Sequence, residues 1–227
     1  MVLSGELFNN REMNMTQEKS LYRSHPWHGL SLGNQSPQIV NCYIEIVPTD
    51  TVKYELDKVT GILKVDRPQK YSSVCPSLYG FLPQTYAGEL VAKHCEKKTG
   101  RSNLKGDGDP LDICVLTEKA IVRGDIILRA RPIGGLRLLD GEEVDDKIIA
   151  VMLDDLIYGE IADISQCPQQ LIDRLKHYFL TYKEAPGTTG KHVQITDTYS
   201  AAEAQEIIKL SALDYTHLME KSAKNPA

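Results

Sequence analysis

The chain predicts a mainly β fold with flanking helices, an α+β arrangement, on three observations. From Val40 onward, short β-rich segments follow one another with turn residues between them. Helical periodicity carried by apolar stripes is confined to the C-terminal part. Many short strands separated by turns favour a barrel or sandwich over a parallel α/β sheet.

The first 24 residues are polar and include Glu6, Glu12 and Glu18. They lack both the apolar centre of a secretory signal and the acid-poor composition of a transit peptide. We expect a flexible tail over 1–35, a single domain over 36–220 and a short tail over 221–227. His25-Pro-Trp-His28 reads as an aromatic anchor pinning the tail to the domain. Residues 40–47 read as a strand. Residues 52–56 and 62–66, joined by a connection ending in Gly61, read as a hairpin. Period-2 alternation there places Lys53 and Glu55 on one face, with Val52, Tyr54 and Leu56 on the other.

Residues 67–85 read as irregular, because Pro68, Pro76, Pro83 and Gly80 interrupt any helix, and 86–106 as a polar surface insertion. Strands are expected over 112–116, 125–131, 135–139 and 147–153. A helix is expected over 168–183, with Leu171, Leu175, Tyr178, Phe179 and Tyr182 on one stripe. Another should open at Ser200-Ala-Ala-Glu203, a capping-box spacing, with Ala204, Ile207, Ile208, Ala212, Tyr215 and Leu218 along its apolar face.

At 227 residues with 41% hydrophobic content, the chain can bury a full core as one domain. Its net charge of −5 disfavours non-specific nucleic-acid binding, which needs a basic surface. Five cysteines, no two spaced as C-x-x-C, argue against a disulfide framework or a zinc site and fit a reducing cytoplasm. No apolar run reaches the roughly 18 residues of a membrane span.

The chemistry concentrates at Lys105-Gly-Asp107-Gly-Asp109-Pro-Leu-Asp112, ahead of the apolar run Ile113 to Leu116. A tight loop therefore presents Asp107, Asp109 and Asp112 from the lip of a strand. Carboxylates this close raise one another's pKa unless a cation lies among them, and oxygen-only donors favour a hard ion such as Mg²⁺. An EF-hand is rejected: counted from Asp107, the obligatory glycine position is Asp112. Gly187-Thr-Thr-Gly190-Lys191 is two residues too compact for a P-loop. A second acidic turn, Asp140-Gly-Glu-Glu-Val-Asp145-Asp-Lys147, again sits between strands. With Lys53 and Glu55, the cations Arg67, Lys147 and Lys183 and the phenols Tyr79 and Tyr182, these residues suit an anionic substrate arriving with Mg²⁺. That points to phosphoryl transfer to water.

Asp107-Gly-Asp-Pro-Leu-Asp112 resembles the signature of family I soluble inorganic pyrophosphatases. Ile44-Glu45-Ile46, Lys53-Tyr-Glu55, Val65-Asp-Arg67, Leu78-Tyr-Gly80, Arg129-Ala-Arg-Pro-Ile133, Asp140…Asp145-Asp-Lys147 and His177-Tyr-Phe…Tyr182-Lys183 recur in that family's order, over roughly residues 40–195. The resemblance implies a five-stranded OB-like β-barrel with two C-terminal helices. It also implies hydrolysis of pyrophosphate to two orthophosphates with several Mg²⁺ ions, Mn²⁺ or Zn²⁺ being substitutes, and a homo-oligomer, hexamer or dimer.

Carried over by position, Asp107, Asp112 and Asp145 hold a first metal, and Asp112 shares a second. Asp140 and Asp145 hold a third that arrives with substrate, and Glu55 bears indirectly on a further one. Asp109 matches the general base. Lys53, Arg67, Tyr79, Lys147, Tyr182 and Lys183 match the phosphate binders. Two ions about 3.5–4 Å apart would bridge and acidify a water for in-line attack.

Two departures stand out. Cys75 replaces a tyrosine common in the family, which predicts slower turnover or sensitivity to thiol reagents. Gly141 replaces a second acid after Asp140, with Glu142 and Glu143 nearby. The rival readings are a nucleotide or nucleic-acid phosphohydrolase, a non-enzymatic OB-fold binding module and a degenerate homologue. A binding module has no need of Asp109 and Asp145, and the chain lacks a basic, aromatic-studded groove for polynucleotides.

Overall fold

A computed structural model describes residues 24–183 and 193–224. Most of the expected N-terminal tail, the Gly187–Lys191 segment and residues 225–227 lie outside the described residues.

Among the described residues, ten strands and three α-helices are arranged around a closed ring. The strands are β1 (Val40–Ile46), β2 (Val52–Leu56), β3 (Leu63–Pro68), β4 (Leu78–Phe81), β5 (Lys105–Gly106), β6 (Asp112–Leu116), β7 (Ile126–Asp140), β8 (Glu143–Val144), β9 (Lys147–Met152) and β10 (Val193–Ser200). The helices are α1 (Glu89–Thr99), α2 (Gln169–Thr181) and α3 (Ala201–Lys224). β1 pairs with β4, β4 with β6, β6 with β9 in parallel, β9 with β7, and β7 returns to β1. Five strands thus close on themselves, as the OB-like expectation requires.

β7 is a single 15-residue strand where the sequence suggests two. Its register with β9 shifts between Pro132 and Gly134, and Gly134 adopts φ +159°. The irregularity lets one strand bend around the ring and serve β1, β9, β8 and β10 in turn. β2 and β3 form the expected hairpin beside it, closed by Gly61 at φ +69°.

The core has two main lobes. One joins Val40, Cys42, Ile44, Leu82, Ile113 and Ile148 of the ring region to Ala204, Ile207 and Ile208 of α3. The other joins Cys114, Leu136, Leu138 and Ile149 to Ile172, Leu175 and Phe179 of α2. The predicted stripes of both C-terminal helices are therefore core contacts. Trp27 is buried; its indole N–H donates to the Thr85 carbonyl at 2.8 Å and its ring stacks on His28. The aromatic anchor holds.

Four local expectations are corrected. Residues 86–106, expected as a polar surface insertion, hold regular structure. They contain α1, which buries Val91, Ala92 and Cys95 and packs on α3. Its free N-terminal amides are capped from another helix, since Leu90 and Val91 donate to buried Asp214 at 3.0 and 3.1 Å. The stretch 67–85 holds β4, a short strand hidden between prolines. β10 was not expected at all. At the start of α3, the Ala201 N–H donates to Asp163 at 2.8 Å, and Glu203 turns away from the cap to meet Arg137.

Arg137 is 1% exposed and also reaches Asp197 at 3.3 Å, while Glu203 additionally takes Lys98 at 2.9 Å and His94 at 3.2 Å. Burial would raise the Glu203 carboxyl, but Lys98 and Arg137 hold it at about 2, against an ordinary 4.5. Removing one member of such a buried pair strands the other. Glu203→Gln is therefore expected to cost about 3–5 kcal/mol in urea unfolding at pH 7. Because the folded-state pKa is depressed, this stabilisation is present above about pH 4.5 and disappears as pH falls through about 2. The difference in stability between wild type and variant should shrink across that window.

Candidate active site

One mouth of the ring gathers the predicted residues. Asp112 opens β6 and Lys147 opens β9, and the two are register partners in the parallel pair. The Lys147 ammonium bonds both Asp112 and Asp145, while the Tyr79 hydroxyl of β4 donates to Asp112 at 2.5 Å. Asp107 precedes β6 on the glycine-rich loop and faces Asp145, so four elements meet at one knot.

The loop is held from behind. The Asp109 N–H donates to Asp107 at 2.9 Å, the Ala87 N–H to the Asp109 carbonyl at 2.8 Å, and the Gly108 N–H to the Ala87 carbonyl at 3.1 Å. A Cβ on Gly106 would lie 2.0 Å from the Ala87 oxygen, so only glycine permits this approach. The segment leading into α1 is thus the backing of the aspartate loop.

Electrostatics follow from burial. Asp107 is pushed above the usual carboxylate range by burial and by Asp145. Asp145 is raised by burial too, with Lys147 opposing and Asp112 adding to the effect. For Lys147, burial would lower the ammonium, but Asp112 and Asp145 more than reverse it and hold it firmly charged. Tyr79 is raised by burial and by Asp112 and Asp145, and so stays a hydroxyl donor. Three carboxylates thus converge on a single ammonium, an arrangement short of positive charge. Among the described residues no three acidic, histidine or cysteine side chains surround one point as a finished ligand shell. The oxygen-only donor set and its mutual repulsion nonetheless fit a hard divalent cation.

A wall of cations and partners surrounds the knot. Lys53 contacts Glu55 at 2.9 Å and Asp66 at 3.0 Å, and Arg67 contacts Asp66 at 2.5 Å. Lys53 and Arg67 stand opposite each other across the hairpin. Arg67 lies 6.0 Å from the centroid of the Tyr182 ring, just past the end of α2, which links the hairpin to that helix. Lys183 holds Asp140 at 2.8 Å. Asp140, the last residue of β7, is thus joined to the site through Lys183, on which Asp145 also acts. Asp109 faces the cleft and is ion-paired with Lys58.

Three participants escaped sequence reasoning. Glu45 lines the same cleft as Asp109, Asp112 and Glu55, accepts the Leu56 N–H at 2.7 Å, and is raised to about 8 by burial. A lone acid inside the apolar run 40–47 and its place in the segment Ile44-Glu45-Ile46 were its signals, but they assigned it no role. Lys58 lies in a hairpin connection where charge is unremarkable, and Asp66 stood in the segment Val65-Asp-Arg67 without a role of its own.

A closed ring of five strands with an acidic, lysine-bridged mouth places the chain among OB-like β proteins. The family model described as inorganic pyrophosphatase matches residues 42–216, and the chain belongs to that family. It is 56% identical to the inorganic pyrophosphatase of Chlamydia trachomatis over 199 residues, covering 86% of this chain and 95% of the relative. The crystal structure of inorganic pyrophosphatase from Thermus thermophilus superposes with a TM-score of 0.70 at 28% identity, covering 86% of this chain and 99% of that one. Type I inorganic pyrophosphatase from Toxoplasma gondii, at 21% identity, shares the fold with a TM-score of 0.74 over 88% of this chain and 90% of its own.

Cys75 lies fully buried beneath α2, and burial pushes its thiol up to about 11. Neither access nor thiolate is available at neutral pH, contrary to the expected sensitivity to thiol reagents. Iodoacetamide should leave Cys75 unmodified in the folded protein and label it only in denaturant, as read by peptide mass spectrometry.

Proposed function

We propose that this chain hydrolyses inorganic pyrophosphate to two orthophosphates with Mg²⁺ as cofactor. The observation that carries this reading is the convergence of Asp107, Asp112 and Asp145 on Lys147, inside a rim of Lys53, Arg67 and Lys183. Asp107, Asp112 and Asp145 would hold the metal, with Asp140 and Glu55 at further positions. Bound there, Mg²⁺ supplies Lewis acidity toward water and phosphate oxygens.

The protein's own groups divide the remaining work. Lys53, Arg67 and Lys183 bind the anionic oxygens of the substrate, and the Tyr182 hydroxyl donates to them, joined by the Tyr79 hydroxyl when it turns from Asp112 to substrate. Lys147 serves both sides, neutralising Asp112 and Asp145 and presenting charge toward phosphate. Asp109, on the cleft wall, takes the proton from the attacking water at its carboxylate. Lys58 must release Asp109 for that step, and its ammonium then becomes available to the departing phosphate. Because these charges are fixed before the substrate arrives, preorganised electrostatics account for most of the acceleration.

The same reading includes a single domain over 36–220, supported by the family match, together with a cytoplasmic location and a homo-oligomer, hexamer or dimer. Among the described residues no helix is long and apolar enough to cross a membrane.

Phosphate release should be fast from pyrophosphate with Mg²⁺, slow from ATP and tripolyphosphate, and absent in chelator. Asp109→Asn should lower kcat by about 10²–10⁴-fold with little change in KM. Arg67→Lys should chiefly raise KM, since a bidentate donor becomes a point charge. Equal rates on ATP and pyrophosphate would point instead to a nucleotide phosphohydrolase.

A further inference from the structure

Asp146 lies between two members of the site and is itself buried on the other side of the strand. Asp145 and Lys147 meet each other and Asp112, whereas Asp146, 4% exposed, faces Arg137 of β7. The register makes this opposition direct. Leu136 pairs with Lys147, and the Leu138 carbonyl accepts the Asp145 N–H at 3.1 Å, so Arg137 stands across from the 145–147 segment. Its Cζ lies 5.1 Å from the centroid of the Tyr199 ring, and that ring covers Gly135 so closely that a Cβ there would come within 2.4 Å.

Three buried atoms in this group, Arg137 Nε, Asp146 Oδ1 and Tyr199 Oη, find no hydrogen-bond partner outside it, and the Tyr199 hydroxyl lies within reach of Asp146. They belong to mutually facing side chains, so they are left to one another, directly or through an ordered water. Nothing in the proposed hydrolysis uses them. Stability does not account for them either, since apolar side chains of similar volume would fill the same space at no greater cost. The best-attested service of such buried polar groups is to fix register.

We propose that Asp146 is a positioning residue which, with Arg137 and Tyr199, anchors the back of the 145–147 segment so that Asp145 and Lys147 keep their places beside Asp112. On its other side Arg137 meets Glu203, which holds His94 and Lys98 of α1 and lies outside the anchor of the 145–147 segment. Its catalytic readout rests on the pyrophosphatase reading; its metal-binding readout needs only that the carboxylates bind a divalent ion.

The test uses the full chain and Mn²⁺ as the probe, with binding followed by electron paramagnetic resonance in the absence of substrate and kcat and KM measured separately. Asp146→Asn is expected to weaken Mn²⁺ binding about 10-fold and to lower kcat to a similar degree with KM little changed. Arg137→Met should do the same, and Arg137→Lys should restore part of the affinity. Glu203→Gln should lower the thermal midpoint and leave Mn²⁺ affinity as it was. If Asp146→Asn does not fold, Tyr199→Phe removes one hydroxyl and should still weaken Mn²⁺ binding measurably. A folded Asp146→Asn with wild-type Mn²⁺ affinity and kcat overturns the proposal, as does an equal loss of affinity in Glu203→Gln. Absence of pyrophosphate hydrolysis in the wild type would instead defeat the catalytic reading, leaving the Mn²⁺ titration to judge the anchor.

Discussion

Three half-buried carboxylates and one buried ammonium at the mouth of a closed ring set the terms for the rest of this structure. Burial and the neighbouring carboxylates raise the proton affinity of Asp107 and Asp145, and Lys147 compensates only part of the charge gathered there. Left free, such groups would move apart into solvent. They stay because each is fixed by a different rigid element: Asp112 and Lys147 by registered strands, Asp107 by a glycine loop pressed on Ala87, and Asp145 by the bond from its amide to Leu138. The concentration of negative potential is therefore a property of the backbone, established before any ligand arrives.

That constraint explains why elements remote from the chemistry are needed. α1 is polar over much of its surface, yet its leading segment backs the aspartate loop and its N-terminus is capped by Asp214 of α3. The hairpin β2–β3 brings Glu55 and Asp66 to the site together with the ladder partners Lys53 and Arg67, whose position opposite one another makes a two-pronged cationic wall. Tyr182 and Lys183 follow α2 directly, so the apolar stripe that seats that helix also aims its C-terminal end at the cleft.

Much of this was legible in the sequence because it depends on local patterns. The Gly-Pro punctuation of 105–112 announces a loop at a strand edge, period-2 alternation pairs Lys53 with Glu55, and the 3.6-residue stripes of α2 and α3 are unambiguous. What escaped depends on partners far away in the chain. β4 spans four residues between prolines and is a strand only because β1 and β6 flank it. β10 reads as Thr, Asp and Gln on its exposed face and gains its conformation from β7. α1 hides its few apolar side chains among lysines and glutamates, and its cap comes from residue 214. Glu45 was concealed by its apolar neighbours, and Lys58 owes its role wholly to where the hairpin tip folds. At Glu203 a local rule was outbid: the capping-box spacing is present, but buried Arg137 claims the carboxylate.

The single long strand β7 has a consequence for how the molecule comes into being. It lies against β1 on one flank and β10 on another, partners separated from it by some of the widest intervals in the chain. Strands formed early in synthesis therefore wait with open edges until residues 126–140 leave the ribosome, and the last partner follows later still. Such non-local pairing slows folding and exposes unpaired strands to neighbouring chains. The charged hairpin and the short lengths of β4 and β6 serve as protection during that interval, limiting what a nascent barrel can stick to before it shuts.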